Sequence, residues 1–351
     1  MPSNHEQSKF ECHSQYAQFC LKVVRNGNTS ASDITVDKPV RYGHLHSLRS
    51  HTRKCKHKLK VIILGTASAP VPRRSGRDGT GILVSGPSGS FLFDCGPGVT
   101  KRLVSLGIDL GTISSLFITH HHYDHISDLP LFVMCRWEWG MFNLSTSHPL
   151  PRKLRVYGPK GTRRISDLLF GDDGVYAGDI RSRIRGAGRR FYRALGIESL
   201  PSPKPTVREI AYGDTIDMGQ SFKITAARTQ HVQPYLESLA YRIESDRRII
   251  VISGDAAPSK ELIDLSRGAD LLVHECTKLD IKRSGMHMQN IHSSPTTVAK
   301  TATDANVKKL VLLHFGPEAE DPNVLDEFRK VVKMNYDGEF FLAKDLDQVE
   351  I

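Results

Sequence analysis

Residues 119–125 read Thr119-His120-His121-His122-Tyr123-Asp124-His125 and follow directly on the apolar run Leu116-Phe117-Ile118. Four groups able to bind a divalent cation thus lie within six residues, on the turn leaving a buried strand. His120 and His122, two apart, can converge on one ion from a loop. Asp124 and His125 point to a second site beside it. Imidazole and carboxylate are the donors zinc takes when one coordination position must stay open for water. The chain carries 16 histidines, so a solvated, histidine-rich turn is the competing interpretation. The order of the residues and the strand before them favour the metal.

Elements must exist to position such a loop, and from Leu59 onward they recur. Short β-rich runs occupy 59–64, 81–85, 91–95, 116–119, 154–157, 222–228, 238–244, 248–253, 271–274, 309–314 and 339–343. Helical patterns lie between them over Val99 to Leu106, Gly161 to Leu169, Ser259 to Arg267 and Ser294 to Ala305. Several strands are continuous apolar runs, as expected when both faces of a sheet are covered. Two mixed β-sheets packed together with helices outside, an αββα sandwich of the α/β class, satisfy this pattern as one domain over 58–351.

The loop resembles the signature of the metallo-β-lactamase fold, and four further segments resemble its ribonuclease Z and arylsulfatase branch. They are Val61-Ile62-Ile63-Leu64-Gly65-Thr66, Phe91-Leu92-Phe93-Asp94-Cys95-Gly96, Ile249-Ile250-Val251-Ile252-Ser253-Gly254-Asp255 and Leu310-Val311-Leu312-Leu313-His314-Phe315. The resemblance covers about residues 58–345 in the family's order. It implies that a first zinc takes His120, His122, His231 and Asp255, and a second Asp124, His125, Asp255 and His314. Asp255 would bridge the two ions, and Asp94 would prop the metal loop. His274 and Glu275, in Val273-His274-Glu275-Cys276, resemble the family's His-Glu-Ala-Thr segment and are read as support behind the ligands. Mn2+ or Fe2+ could occupy the same mixed set.

His292 narrows the chemistry. It stands 22 positions before His314 in Ile291-His292-Ser293-Ser294-Pro295, at the mouth of a helix whose amino end favours an anion. The resemblance implies contact with the scissile phosphate and help for the leaving oxygen, with Asp124 as ligand and proton acceptor at once. A helix-capping His-Ser pair is the bland alternative. The resulting expectation is a dinuclear zinc hydrolase that cleaves phosphodiesters with metal-activated hydroxide. It is ribonuclease Z-like, and its suggested task is tRNA 3′-end processing. The alternative is an arylsulfatase-like hydrolase of small sulfate or phosphate esters. Partners are accordingly precursor tRNA or a small anionic ester, and a homodimer is compatible with either.

Two departures from the family weigh on the substrate. Typical bacterial ribonucleases Z carry a tRNA-gripping arm between the third histidine and the bridging aspartate, but here His231 and Asp255 are only 24 residues apart. The family's Gly-Glu-Gly-Thr-Gln is here Gly96-Pro97-Gly98-Val99-Thr100. The additional chain sits at about 171–205, where Arg181, Arg183, Arg185, Arg189, Arg190 and Arg193 fall within thirteen residues without an acid. This insertion is read as a lid near the mouth. Its arginines would hold a phosphate-bearing or sulfated substrate, with a solvated helix face as the competing interpretation.

Composition bounds the rest. Hydrophobic content of 39% and charged content of 25% are ordinary for a globular protein. No run of 18 apolar residues exists, which argues against a membrane span. Met1 to Phe10 lacks the apolar core of a secretory signal. The six cysteines have no paired spacing, which fits a reducing, cytoplasmic setting. Net charge is +10. Residues 1–60 hold eleven Lys or Arg against four Asp or Glu, which is +7 of it. Residues 1–57 are read as a basic, disordered extension able to meet phosphate backbones or serve as a solubilising tail.

Overall fold

The computed structural model describes residues 59–86, 89–143, 153–194, 196–219, 222–277 and 290–351. The basic extension over 1–57 lies outside the described residues, as do His148 and His287. The first half of the chain gives β1 (Lys60–Gly65), β2 (Gly81–Gly86), β3 (Gly89–Phe93), β4 (Ile113–Phe117), β5 (Arg155–Gly158), β6 (Thr206–Glu209) and β7 (Thr215–Gly219). The second gives β8 (Phe222–Arg228), β9 (Leu239–Ser245), β10 (Arg248–Ile252), β11 (Leu271–Glu275), β12 (Lys309–Leu313), β13 (Glu339–Leu342) and β14 (Gln348–Glu350). The described helices are α1 (Val99–Ser105), α2 (Tyr123–Ile126), α3 (Leu129–Asn143), α4 (Thr162–Phe170), α5 (Ala177–Arg185), α6 (Ala187–Ala194), α7 (Lys260–Ser266), α8 (Pro295–Asp304) and α9 (Pro322–Asn335). None is long and apolar enough to cross a membrane.

The strands form two seven-stranded mixed sheets, ordered β14-β1-β2-β3-β4-β5-β6 and β13-β12-β11-β10-β9-β8-β7. Alternation along each strand sends successive side chains to opposite faces, and both faces are buried. Val61 and Ile63 of β1 join the core between the sheets, while Ile62 and Leu64 join the core under the outer helices. The same split on the second sheet puts Val273 between the sheets and Leu272 beneath α8 and α9. The αββα sandwich is therefore the fold.

Aromatic rings fill the inter-sheet layer just below the metal loop. Phe117 stacks on Phe93 and on Tyr157 with centroids 5.0 and 4.7 Å apart. Tyr241, reaching across from the second sheet, donates its hydroxyl to the Ile118 carbonyl at 2.6 Å. Burying each ring contributes about 1.5–3 kcal/mol, and the hydroxyl bond fixes the strand end from which the histidines leave.

Strand direction brings the chemistry together. β3 and β4 run parallel, as do β10, β11 and β12, and β8 runs with them through its antiparallel pairing to β9. Asp94, the His120–His125 loop, His231, Asp255, Glu275 and His314 all stand at the carboxyl ends of these strands, where open α/β sheets place their sites.

Candidate metal centre

Three of the residues at these strand ends have left-handed backbone: Asp94 with φ 59°, Gly254 with φ 58° and His314 with φ 59°. Such turns reverse the chain abruptly, so that Asp94 and His314 themselves, and Asp255 after Gly254, serve the centre while Cys95 and Phe315 pack in the outer cores; in non-glycine residues they store strain of order 1–3 kcal/mol. Gly254 has a second reason to be glycine. A Cβ there would lie 2.8 Å from the Thr119 Cβ and 2.9 Å from the Leu239 carbonyl oxygen. That close approach lets Asp255 reach the loop of β4.

The expected ligands converge in two groups, and Asp255, His292 and His314 make a third that overlaps them. His120, His122, His231 and Asp255 form the first, and Asp124, His125 and His314 the second, with the donor atoms of each group within 4.8 Å of one another. In the first, His122 Nδ1 lies 3.0 Å from His120 Nε2 and 3.2 Å from His231 Nε2. Asp255 Oδ2 stands 3.7 Å from both of those Nε2 atoms. In the second, His125 Nε2 and His314 Nε2 are 3.2 Å apart, and each is 3.2 Å from Asp255 Oδ1. Asp124 Oδ2 lies 3.3 Å from His314 Nε2. Asp255 thus turns one oxygen to each group.

Outer partners fix which ring nitrogen faces inward. The His231 Nδ1–H donates to the Ile291 carbonyl at 2.6 Å; a carbonyl can only accept, so the inward Nε2 carries a lone pair. His125 Nδ1 lies 2.7 Å from Asp94 Oδ2. Asp94 also accepts from the Thr119 N–H and hydroxyl, both at 2.8 Å. The Thr119 oxygen is 3.0 Å from His120 Nδ1. His314 Nδ1 lies 2.9 Å from the Thr277 hydroxyl, which donates to Glu275 Oε2 at 2.6 Å. Inward lone pairs 3.0–3.2 Å apart repel unless a cation lies between them. Asp255 Oδ1 is buried without a hydrogen-bond partner. This donor set fits divalent metal.

Charge states in the metal-free centre differ between the two groups, and a cation at the second must displace a proton from His125. Burial, with neighbouring imidazoles, pushes His120 well below the ordinary histidine range and lowers His122 and His231, which keeps them neutral. Burial also opposes charge on His125, but Asp255 and Asp94 outweigh it and hold that imidazole well above the ordinary range. Burial disfavours ionised Asp124, yet the His314 and His125 rings bring its carboxyl down to about 2. The Ala69 N–H donates to Asp124 Oδ2 at 2.9 Å and fixes the carboxylate in place.

Behind the groups, His292 Nδ1 pairs with Glu275 Oε1 at 2.8 Å. Its ring centroid stands 4.8 Å from that of His231 and 5.8 Å from that of His314. Burial opposes its charge, but Glu275 raises its pKa to about 9.

One residue and one segment expected here are placed elsewhere. His274 was read with Glu275 as support for the ligands, but strand alternation sends it to the opposite face, beside Leu312 of β12. Its Nδ1 meets the Glu275 carbonyl at 2.7 Å and its Nε2 has no partner. The Arg-rich insertion, read as a lid near the mouth, is anchored on the outer face of the first sheet. Ile180, Tyr192, Ile197 and Leu200 sink into the core on the outer face of the first sheet, so α5 and α6 belong to the outer helix layer. Arg183 is ion-paired to Glu138 and Asp179, and Arg181 donates to the Asp172 carbonyl. Among the described residues no hydrogen bond or ion pair joins Arg181, Arg183, Arg185, Arg189 or Arg190 to the centre. Conversely, Thr119 and Thr277 escaped notice as site residues, although each directly follows or precedes residues already singled out.

Fold and site define the class, a metal-dependent hydrolase of the metallo-β-lactamase type. Residues 75–133 match the metallo-beta-lactamase superfamily and residues 184–315 the beta-lactamase superfamily domain. The chain is 30% identical over 299 residues to ribonuclease Z of Mycolicibacterium gilvum (strain PYR-GCK), covering 84% of this chain and 96% of that one. Ribonuclease Z of Mycobacterium bovis (strain BCG / Pasteur 1173P2) is also 30% identical, over 84% and 98% of the two chains. The chain belongs to the ribonuclease Z family. Two solved structures share the fold. Human tRNase Z, short form, has a TM-score of 0.55 at 22% identity over 83% of this chain and 98% of that one. The metallo-beta-lactamase fold protein YhfI of Bacillus subtilis has 0.62 at 19% over 84% and 99%. These relatives do not favour the arylsulfatase-like alternative.

Proposed function

We propose that this chain is a dinuclear zinc phosphodiesterase that acts as an endoribonuclease on the 3′ end of precursor tRNA, with residues 58–351 as its hydrolase domain. The observation that carries this reading is the pairing of two donor groups that share Asp255 with a cationic His292 beside them. The first ion would be held by His120, His122, His231 and Asp255, and the second by Asp124, His125, Asp255 and His314. When bound, two divalent cations acidify a water and offset charge on an in-line displacement at phosphorus. Zinc suits an imidazole-rich set, and Mn2+ or Fe2+ are the competitors.

The chain's own groups do the rest. Asp124, ionised across the useful pH range and fixed by the Ala69 N–H, takes the proton of the attacking water on its carboxylate. His292, kept protonated by Glu275, binds the anionic ester and gives its proton to the leaving ribose oxygen. Ser293 and α8 behind it hold that ring in place through the Ser293 hydroxyl bond to the Ala256 carbonyl, at 2.7 Å. A cytoplasmic setting, expected from the unpaired spacing of the cysteines, belongs to the same reading. The deciding experiment is cleavage of a 3′-extended precursor tRNA by zinc-loaded protein, with Asp124→Ala alongside. Cutting near the discriminator base, lost in the variant, is expected. Metal-loaded protein that leaves the precursor intact overturns the reading.

A further inference from the structure

We propose that the exposed arginine face of α5 and α6 is a docking surface for the sugar–phosphate backbone of a structured RNA, away from the reacting phosphate. This rests on the nuclease reading above and says how such a chain holds the body of its substrate.

Two observations meet here. The interval between His231 and Asp255 is consumed by β9 and β10, which leaves no chain for a gripping arm there. The helices α5 and α6 meanwhile carry six arginines and a single acid, Asp179. Arg183 is spent internally: its pairs with Glu138 and Asp179 tie α5 to α3. Arg181 closes the preceding turn through the Asp172 carbonyl. Arg185, Arg189, Arg190 and Arg193 are exposed and form no ion pair among the described residues. Positions 189, 190 and 193 share one helix face, while Tyr192 turns into the core. Arg185 and Arg189 line one cleft of about 150 Å³ across the turn between the helices, with Glu198 the acid at its edge.

Like charges so close repel one another, and a polyanion relieves that repulsion by displacing condensed counterions. The guanidinium fork suits phosphate oxygens better than an ammonium does. The face is also connected to the centre. The Thr162 hydroxyl at the start of α4 lies 2.9 Å from Nε2 of His121 in the metal loop. From there α4 contacts α5, and α5 contacts α6. Exposed Lys160, Arg163 and Arg164 add positive charge at the start of α4, but Asp167, Asp172, Asp173 and Glu209 line a cleft with them and separate that charge from the arginines of α5 and α6.

The test is the triple variant Arg189→Glu/Arg190→Glu/Arg193→Glu in the full, zinc-loaded chain, assayed on a 3′-extended precursor tRNA and on bis(p-nitrophenyl) phosphate. For the RNA, KM rises at least tenfold with kcat unchanged. The slope of log KM against log salt falls by about 2–3, the loss expected for three phosphate contacts. Turnover of the small ester, which cannot span from centre to helices, stays as in the parent. A second charge reversal, Lys330→Glu/Lys333→Glu on α9 in the other helix layer, leaves both substrates unaffected. Should the triple reversal fail to fold, Arg→Gln at the same three positions replaces it, with a smaller shift of the same sign. Unchanged KM and salt slope for RNA overturn the docking surface while leaving the nuclease reading intact. An equal rise in the α9 variant also overturns it, by showing general electrostatics. A parent protein that turns over the small ester yet neither binds nor cuts RNA overturns both.

Discussion

Asp94→Asn isolates what the outer partners contribute to the metal centre. Asparagine tolerates the left-handed φ of 59° at this position, so the backbone turn survives and only the carboxylate changes. Asp94 is 2% exposed and takes three donors: the Thr119 N–H on Oδ1, and the Thr119 hydroxyl and His125 Nδ1 on Oδ2. An amide has one acceptor oxygen, and both of its placements fail. With the oxygen toward His125, the amide NH2 faces the Thr119 N–H, and a buried donor loses its acceptor at a cost of about 1–3 kcal/mol. With the amide reversed, NH2 faces His125 Nδ1, which must then accept. The ring proton moves to Nε2, the atom 3.2 Å from both His314 Nε2 and Asp255 Oδ1, and that nitrogen can no longer bind a cation.

Either placement lowers metal affinity and kcat by about 10–100-fold, the usual effect of losing a ligand's outer partner. Metal titration followed by turnover of the small phosphodiester measures both, and thermal unfolding of the metal-free protein reports the lost hydrogen bond. Affinity and kcat both within twofold of the parent would refute the argument that Asp94 sets the His125 tautomer.

Other substitutions separate the remaining roles. His122→Ala and Asp124→Ala are expected to abolish turnover, the first without loss of fold since His122 is only half-buried, the second with some loss of stability since Asp124 is buried and bonded to the Ala69 N–H; activity in both, by the same assay, sinks the two-metal mechanism. Glu275→Gln should move the alkaline limb of the kcat–pH profile to lower pH. Protonated His292 is the acid, so rate falls as pH rises through its pKa of about 9, and removing the carboxylate that raises that pKa brings the fall earlier. A limb that stays in place excludes His292 as the donor. His274→Leu should retain kcat. Burial lowers the pKa of His274, so the folded form holds the neutral ring. Its contribution to stability is therefore intact above the unfolded value of about 6.5 and is lost as pH falls below it. The variant should lose less stability between pH 7 and 5 than the parent, and an unchanged pH dependence counts against the placement of that ring.

What could be read in the sequence depended on whether a residue's role followed from its neighbours in the chain or from the sheet it joined. Continuous apolar runs such as Leu310 to Leu313 announced buried parallel strands, and the metal loop was legible because six consecutive residues carry its chemistry. β6 was missed because it buries only Val207 among Thr206–Glu209. β14 is only three residues long and exists through its pairing with β1. The helix α3 reads Leu-Pro-Leu-Phe-Val-Met-Cys-Arg-Trp-Glu-Trp, apolar around most of its circumference, so no helical stripe marks it.

The placements of His274 and of the Arg-rich segment follow from one cause. His274 and Glu275 are adjacent in sequence, and chain neighbours outside a strand can serve one site together, as Asp124 and His125 do. In a strand they cannot, because the side chain period of two separates them by the thickness of the sheet. Glu275 therefore supports His292 and Thr277 while His274 faces the helices. The arginines were likewise judged by their charge. Tyr192, Ile197 and Leu200, spaced among and after them, already required a core to bury against, and the outer face of the first sheet supplies it. Position follows from the apolar residues of a segment, and the charged ones are then carried to wherever that burial leaves them. For α5 and α6 that place is a solvent-facing surface, well suited to holding the body of a polyanion and poorly suited to touching its reacting phosphate.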